Sequence, residues 1–397
     1  MSKNSKKKWT PTPEQLEKYK KQVEETKELS KTAIRDIFDN YRTDQDKMIE
    51  YFLFSSRFYN YSPRNTAMIF QQNPHATFVQ SSASWVKMGA YPKKGTHGAS
   101  ILVPQTKRFI IADKETVLKY QKISDNYKDT ILTTNAQYIA VALSEACAEI
   151  KEKAKAGEYD IKEKLVFGKG TVFDISQTTY PKEKYPELFS VGIADEKANF
   201  MCKAIANYIN ERTPYSIEDV ELDSISLGGF FSPSSNAICI NTICEDTKKI
   251  YVMLHELGHA FYHNLEAQKS EKEDGQNTNI LFTTERKEIE ADIFATMSLG
   301  MYGFELDDQL KSHLKGNYNS YIKQLENAGK SHEDISLDIE NLSTNVMSKF
   351  NSHAKEMTQY IEEYTLQQEQ ETSLEEDEIV EETDEICLLY TSDAADD

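Results

Sequence analysis

Hydrophobic residues change their period several times along the chain, and each change marks an element. From Thr12 to about Asn40, Leu16, Tyr19, Val23 and Leu29 recur at helical spacing, and Pro13 suits a first turn. A second helix is expected over Asp44 to Phe58, and Ser62-Pro63 ends it before a short helix at Asn65 to Gln72. Residues 76–112 change character. Ala76 to Val79 and Ser100 to Pro104 read as strands, Ser84 to Met88 as a turn or short helix, and Gly89, Pro92, Gly95 and Gly98 as tight turns. Residues 114–157 are polar and Lys-rich, with an Ala-rich helix expected at 135–156. Leu165 to Ile175 alternates as a strand broken by Gly168 and Gly170. An amphipathic helix follows at 194–211, then a hairpin from Ile225 to Ile240 around a turn at 232–236. Helices are expected from near Asp246 to about Asn264 and from Glu285 to Met301, with further helical segments to about Tyr364. The chain shows no internal repeat.

The length, 397 residues, allows two to three domains at roughly 100–200 residues each. No apolar run approaches the roughly 20 residues of a membrane span, and the basic start MSKNSKKKW leads into polar residues rather than a secretory signal. Five scattered cysteines, without a Cys-x-x-Cys pair, suit a reducing, cytoplasmic setting. The net charge of −19 speaks against a nucleic-acid partner only until its distribution is read. Residues 362–386 hold twelve acidic residues and no Lys or Arg, whereas residues 51–112 hold seven Lys or Arg and no acid. The final string CLLYTSDAADD follows the acidic run without structural logic and resembles a translated sequencing adapter, so 387–397 is set aside as foreign. On that reading the natural protein is truncated here.

The strongest chemical signal is His255-Glu256-Leu257-Gly258-His259 within an apolar helix. On a helix, i and i+4 share a face, so both imidazoles reach one Zn²⁺. Glu256, beside the first ligand, reaches a water on the metal and serves as general base. A catalytic zinc takes a third protein ligand and keeps one position open. Downstream, Glu288 and Asp292 are again i,i+4, a spacing that suits a ligand Glu and an Asp that hydrogen-bonds a ligand His. Glu290 is the alternative third ligand. His263 lies one turn too far along the helix to share the metal easily and reads as a core histidine or one behind the ligands. The hairpin before this helix, at Gly229 to Phe231 and Ala237 to Ile240, offers a strand edge for a protein or peptide substrate.

These residues carry a family likeness. GGFFSPSSNAICIN, HELGHAFYH and EIEADIFA resemble the ImmA/IrrE type of zinc metallopeptidase over about 195–305, with a long insertion at 264–284. The resemblance implies His255 and His259 as ligands, Glu256 as catalytic base and a Glu of EIEAD as third ligand. The N-terminal half is similar to the single-stranded-DNA-binding domain of ArdC-type antirestriction proteins. Its matching pieces are Tyr61-Ser62, Asn65, Gln71 to Ala76, Trp85, Gly89, Lys93-Lys94-Gly95, Pro104 and VFDISQT at 172–178. Proteins that join the two halves, LtrC-like ones among them, resemble cargo of mobile elements.

The acid-free window supports a DNA partner on its own chemistry. Single-strand binders need cations along the phosphates and aromatic faces under the bases. Arg57, Arg64, Lys87, Lys93, Lys94, Lys107 and Arg108 supply the first, and Tyr61, Trp85 and Tyr91, each near a turn, are the candidates for the second. The expected fold class is α+β: an N-terminal mixed α/β nucleic-acid-binding domain plus a C-terminal zincin-like metallopeptidase domain. A basic arm at 1–8 precedes a DNA-binding domain at 9–180. The peptidase domain at 195–305 is followed by helices at 306–364, an acidic tail at 365–386 and the foreign string. The expected function is a mobile-element zinc peptidase that binds single-stranded DNA, without a membrane partner. The alternative is a DNA-protecting protein whose zinc is structural.

Overall fold

The computed structural model describes residues 12–41, 44–123, 125–184, 196–222, 228–244, 246–267 and 283–392. The expected basic arm at 1–8, residues 268–282 of the insertion and residues 393–397 of the string read as foreign lie outside them. The chain forms two compact units, one of residues 1–30 and 98–172, the other of residues 31–97 and 173–397. The long helix α1 (Pro13–Tyr41) runs through the first boundary.

The first unit is built on β2 (Ala99–Asp113), β3 (Tyr138–Ala142) and β4 (Asp160–Asp174, its last two residues in the second unit), with α5 (Lys114–Tyr120), α6 (Asp125–Thr133) and α7 (Ala148–Lys155). β2 lies between β4 and β3, antiparallel to both. Ile110, Ala112, Val117, Ile139, Val141 and Ile150 form its core. Asp113 ends β2 and caps α5, accepting the Thr116 N–H at 2.7 Å.

Three expectations change here. The helix foreseen at 135–156 is β3 followed by the shorter α7. Tyr138 to Ala142 alternate between exposed and buried, and residues 109–113 of β2 offer a free edge to pair with. Tertiary pairing therefore outweighs the helix preference of the alanines. β2 and β4 are also longer than the strands expected at 100–104 and 165–175, because the ladder from Ala99↔Val172 to Ile111↔Asp160 needs only backbone groups and passes through Gly168 and Gly170 unbroken.

The second unit contains α2 (Gln45–Ser56), α3 (Pro63–Gln72), β1 (Val79–Ser81), α4 (Ser82–Lys87), α8 (Glu196–Arg212), β5 (Ser216–Val220), β6 (Gly229–Ser232), β7 (Ala237–Asn241), α9 (Asp246–Tyr262), α10 (Thr284–Met301), α11 (Asp308–Asn327) and α12 (His332–Ser392). Residues 31–97, expected to belong with the strands that follow them, lie with the C-terminal helices instead. The reason is aromatic: Tyr51, Phe52, Phe54 and Phe70 are buried, and the Tyr51 hydroxyl reaches Met347 Sδ of α12 at 3.5 Å. Ser62 caps α3 with Pro63 in its first turn. The second sheet has the order β5-β7-β6, with β7 parallel to β5 and antiparallel to β6. β7 is buried throughout between its neighbours, so of the two expected edge segments only β6 is an edge.

Candidate metal centre

α9 and α10 lie against each other at Gly258. A Cβ there would stand 3.0 Å from Ala291 Cα and 3.3 Å from its carbonyl oxygen. Any side chain there would press on the facing backbone, and the closeness that glycine permits carries Glu288, one turn before Ala291, toward the histidines. Thr283 caps α10 by accepting the Arg286 N–H at 3.3 Å.

His255, His259 and Glu288 offer ligand atoms that all lie within 4.8 Å of one another. His255 Nε2 and His259 Nε2 are 3.1 Å apart. Glu288 stands 3.4 Å from His255 Nε2 through Oε2 and 3.7 Å from His259 Nε2 through Oε1. Four ligands tetrahedrally placed at about 2.0–2.1 Å from Zn²⁺ are about 3.3 Å from each other. The three residues therefore fit a small divalent cation in spacing and donor chemistry. Their exposure rises from His255 through His259 to Glu288, so the cluster opens to solvent on the carboxylate side.

The other candidate ligand, Glu290, points elsewhere: its Oε2 is 2.9 Å from His263 Nε2 and its Oε1 2.9 Å from Arg286 Nε. Asp292 is fully buried, with Oδ1 2.9 Å from His255 Nδ1. The Tyr251 hydroxyl donates to Asp292 Oδ1 at 2.7 Å and Asn317 Nδ2 to its Oδ2 at 2.8 Å. His263 is buried behind His259, Nδ1 to Nδ1 at 2.8 Å. Sequence reasoning missed Tyr251, which the i,i+4 spacing to His255 could have found. It also missed Asn317 and Arg286, which no local spacing links to the ligands.

Charge in the cluster is unbalanced. Burial opposes a charged His255, but the carboxylates of Asp292 and Glu288 outweigh it and push its pKa up to about 10. Hydrogen bonds from His255 and His259 hold the Glu288 carboxyl well below the usual carboxylate range. A bound cation meets the same demand for positive charge, since ligands must be deprotonated to bind it. Burial pushes the Glu256 carboxyl up and the His263 imidazole down. Glu256 also has a hydrogen bond with the backbone of Phe231, which ties it to edge strand β6. Gly229 allows β6 to come close to α9, because a Cβ there would stand 2.8 Å from Val252 Cγ1.

The candidate DNA residues divide between the units. Arg57, Arg64, Lys87, Lys93 and Lys94 are exposed in the second unit, and Lys107 and Arg108 are exposed in the first. Tyr91 is 58% exposed, whereas Tyr61 is half-buried and its hydroxyl donates to the Val79 carbonyl at 3.0 Å. Trp85 does not lie on the surface. It is fully buried beside Phe78 and Tyr180, and its Nε1 donates to the Phe173 carbonyl at 2.9 Å. So large a ring, with its one polar atom satisfied, is more stable inside, and no base can stack on it there. The apolar residues that α4 and its turn expose are Val86 and Met88.

The β2–β4 ladder adds cations that were not singled out. Lys107 faces Lys164 directly, and Lys162 follows on the same face opposite Phe109. Between Val103 and Phe109 of β2, and Lys162 and Gly168 of β4, that face carries no acidic residue.

Residues 215–314 match the model of the Peptidase_M78 family, the IrrE N-terminal-like domain. The chain is 30% identical over 277 residues to the uncharacterized protein pXO2-81 of Bacillus anthracis, covering 66% of this chain and 42% of that protein. It thus spans less than half the length of that relative. Two solved structures of the antirestriction protein ArdC from plasmid R388 are also similar. The metal-free one has a TM-score of 0.40 at 11% identity, covering 76% of this chain and 86% of that one. The Mn(II)-bound one has a TM-score of 0.37 at 12% identity, covering 82% and 98%. No helix among the described residues is long and apolar enough to cross a membrane.

Proposed function

We propose that this protein is a cytoplasmic zinc-dependent peptidase with His255, His259 and Glu288 as metal ligands and Glu256 as general base. The observation that carries this reading is the convergence of two imidazoles and one carboxylate, with the buried Glu256 directly beside them. Three protein ligands are the complement of a catalytic zinc, where a closed structural site takes four. When bound, the metal supplies Lewis acidity to a peptide carbonyl. The protein's own groups do the rest. Asp292 holds His255 by Nδ1, leaving Nε2 for the cluster. Glu256, its carboxyl raised by burial, accepts a proton from the attacking water and delivers it to the leaving amine. β6 lies at the sheet edge next to Glu256 and can align an extended substrate by strand addition.

The test is metal analysis with fragment mapping in cells that express wild type or Glu256→Gln. One zinc per chain in both, with fragments only in wild type, is expected. A chain purified without zinc would refute the enzyme.

The lysine face of the β2–β4 ladder favours a second activity, binding of single-stranded DNA. Like charges placed directly opposite weaken a strand pair, so their presence is best explained by an anion that bridges them. Exposed Tyr91, near Lys93 and Lys94 in sequence, offers a face for stacking in the other unit. In a mobile element, such binding would bring the peptidase to proteins on transferred DNA. If Glu256→Gln and the isolated residues 1–190 both protect DNA from nucleases as well as wild type does, the peptidase is dispensable for that role.

A further inference from the structure

The two ring nitrogens of His259 have different neighbours. Nε2 faces His255 at 3.1 Å, and Nδ1 is 2.8 Å from His263 Nδ1. From His263 a line of contacts runs away from the cluster. His263 Nε2 lies 2.9 Å from Glu290 Oε2, Glu290 Oε1 lies 2.9 Å from Arg286 Nε, and Arg286 Nη1 donates to the Tyr321 hydroxyl at 3.0 Å. His263, Glu290 and Arg286 are 4%, 8% and 3% exposed. The hydrolysis proposed above uses none of them.

Proton positions follow from the far end of this line. Arg286 can only donate, so Glu290 beside it is an ionised acceptor. His263 must then carry its proton on Nε2 in order to donate to Glu290. In the ring that carries its single proton on Nε2, Nδ1 is an acceptor, and it is satisfied by a proton on Nδ1 of His259. A neutral His259 protonated on Nδ1 keeps its lone pair on Nε2, the atom that faces His255 and Glu288. We infer that His263, Glu290 and Arg286 form a positioning relay that locks His259 in the tautomer able to bind metal through Nε2. His255 receives the same service directly from Asp292. Among the described residues, His259 Nδ1 meets His263 rather than a carboxylate and reaches Glu290 through it. The relay rests on the metal-centre reading.

The test measures zinc affinity of the purified full chain by competition with a chromophoric chelator. His263→Leu should bind zinc roughly 10–100-fold more weakly than wild type, the usual effect of losing a group behind a ligand. His263→Gln, whose amide can accept from His259 and donate to Glu290, should recover a large part of that loss. Nitrogen-15 spectra of histidines in zinc-loaded wild type give a second reading that does not depend on any variant folding. They should show His259 protonated on Nδ1 and metallated on Nε2. Wild-type affinity in His263→Leu, equal losses in the Leu and Gln variants, or metal on Nδ1 of His259 would each overturn the relay while leaving the metal centre intact. A wild-type chain without zinc affinity would overturn both.

Discussion

On α9 and α10, carboxylates and imidazoles are buried and held in pairs: Asp292 with His255, Glu290 with His263 and Arg286. On the β2–β4 ladder, Lys107 and Lys164 are exposed and face each other. Buried charges persist only where partners fix them, so the first arrangement is rigid and its free valence points at one place. Exposed like charges keep their hydration and mobility, and they suit a ligand that brings its own negative charges in a row. Convergence of buried groups suits a small cation, whereas repetition of exposed like charges suits a polyanion.

The largest expected effect lies in the buried region. Glu256→Gln should lower peptide hydrolysis by roughly 10²–10⁴-fold while zinc content by elemental analysis stays at the wild-type level. Retained hydrolysis would show that another group takes the proton. Next, Asp292→Ala strips His255, Tyr251 and Asn317 of a shared partner. It should cost about 3–5 kcal/mol of stability in denaturant titration, as removal of one partner of a buried ion pair does. A change below about 1 kcal/mol would mean that water replaces the carboxylate freely.

The exposed region should answer to salt instead. Replacing Lys107, Lys162 and Lys164 together by Gln should leave the thermal midpoint almost unchanged. The same variant should flatten the salt dependence of single-stranded DNA binding by about 2 units of log–log slope, near 0.7 per lost phosphate contact. An unaltered slope would remove the ladder from the binding surface and would leave the contrast between the two regions without a function on one side.

The smallest effect concerns acid stability of the first unit. The Asp113 carboxyl, held by the Tyr159 hydroxyl, has its pKa pushed down to about 2. A group with a lowered folded pKa contributes stability above its unfolded value, about 4, and loses it as pH falls toward 2. Asp113→Asn should therefore lower stability at pH 7, where the carboxylate contributes in full, with the difference from wild type shrinking as pH falls from about 4 to about 2. A curve with the wild-type slope would assign the acid sensitivity to other carboxylates.

Legibility in the sequence varied with the range of the interaction. The spacing of His255, Glu256 and His259 already implied one helix face, and Glu288 with Asp292 implied another. The choice between Glu288 and Glu290 needed the crossing of α9 and α10 at Gly258 and Ala291. β6 and β7 were readable from the hairpin pattern, but β5 was not: its alternation is weak and its partner, β7, follows in parallel after an intervening strand. Trp85 shows the converse, since a residue near turns in sequence lies fully inside. Turn signals describe backbone reversal and say nothing about which side chains the reversal encloses.

By itself, the sequence determined the helix that presents two histidines, the acidic helix that answers it, and the segregation of basic from acidic stretches. These follow from local periodicity and composition, which act over a few residues. Only the tertiary structure decided which glutamate faces the histidines, that His263 leads to Glu290 and Arg286, and that lysines from strands far apart in sequence share one face. Those outcomes depend on how helices cross and strands register, and both are set by packing between segments that carry no signal of each other.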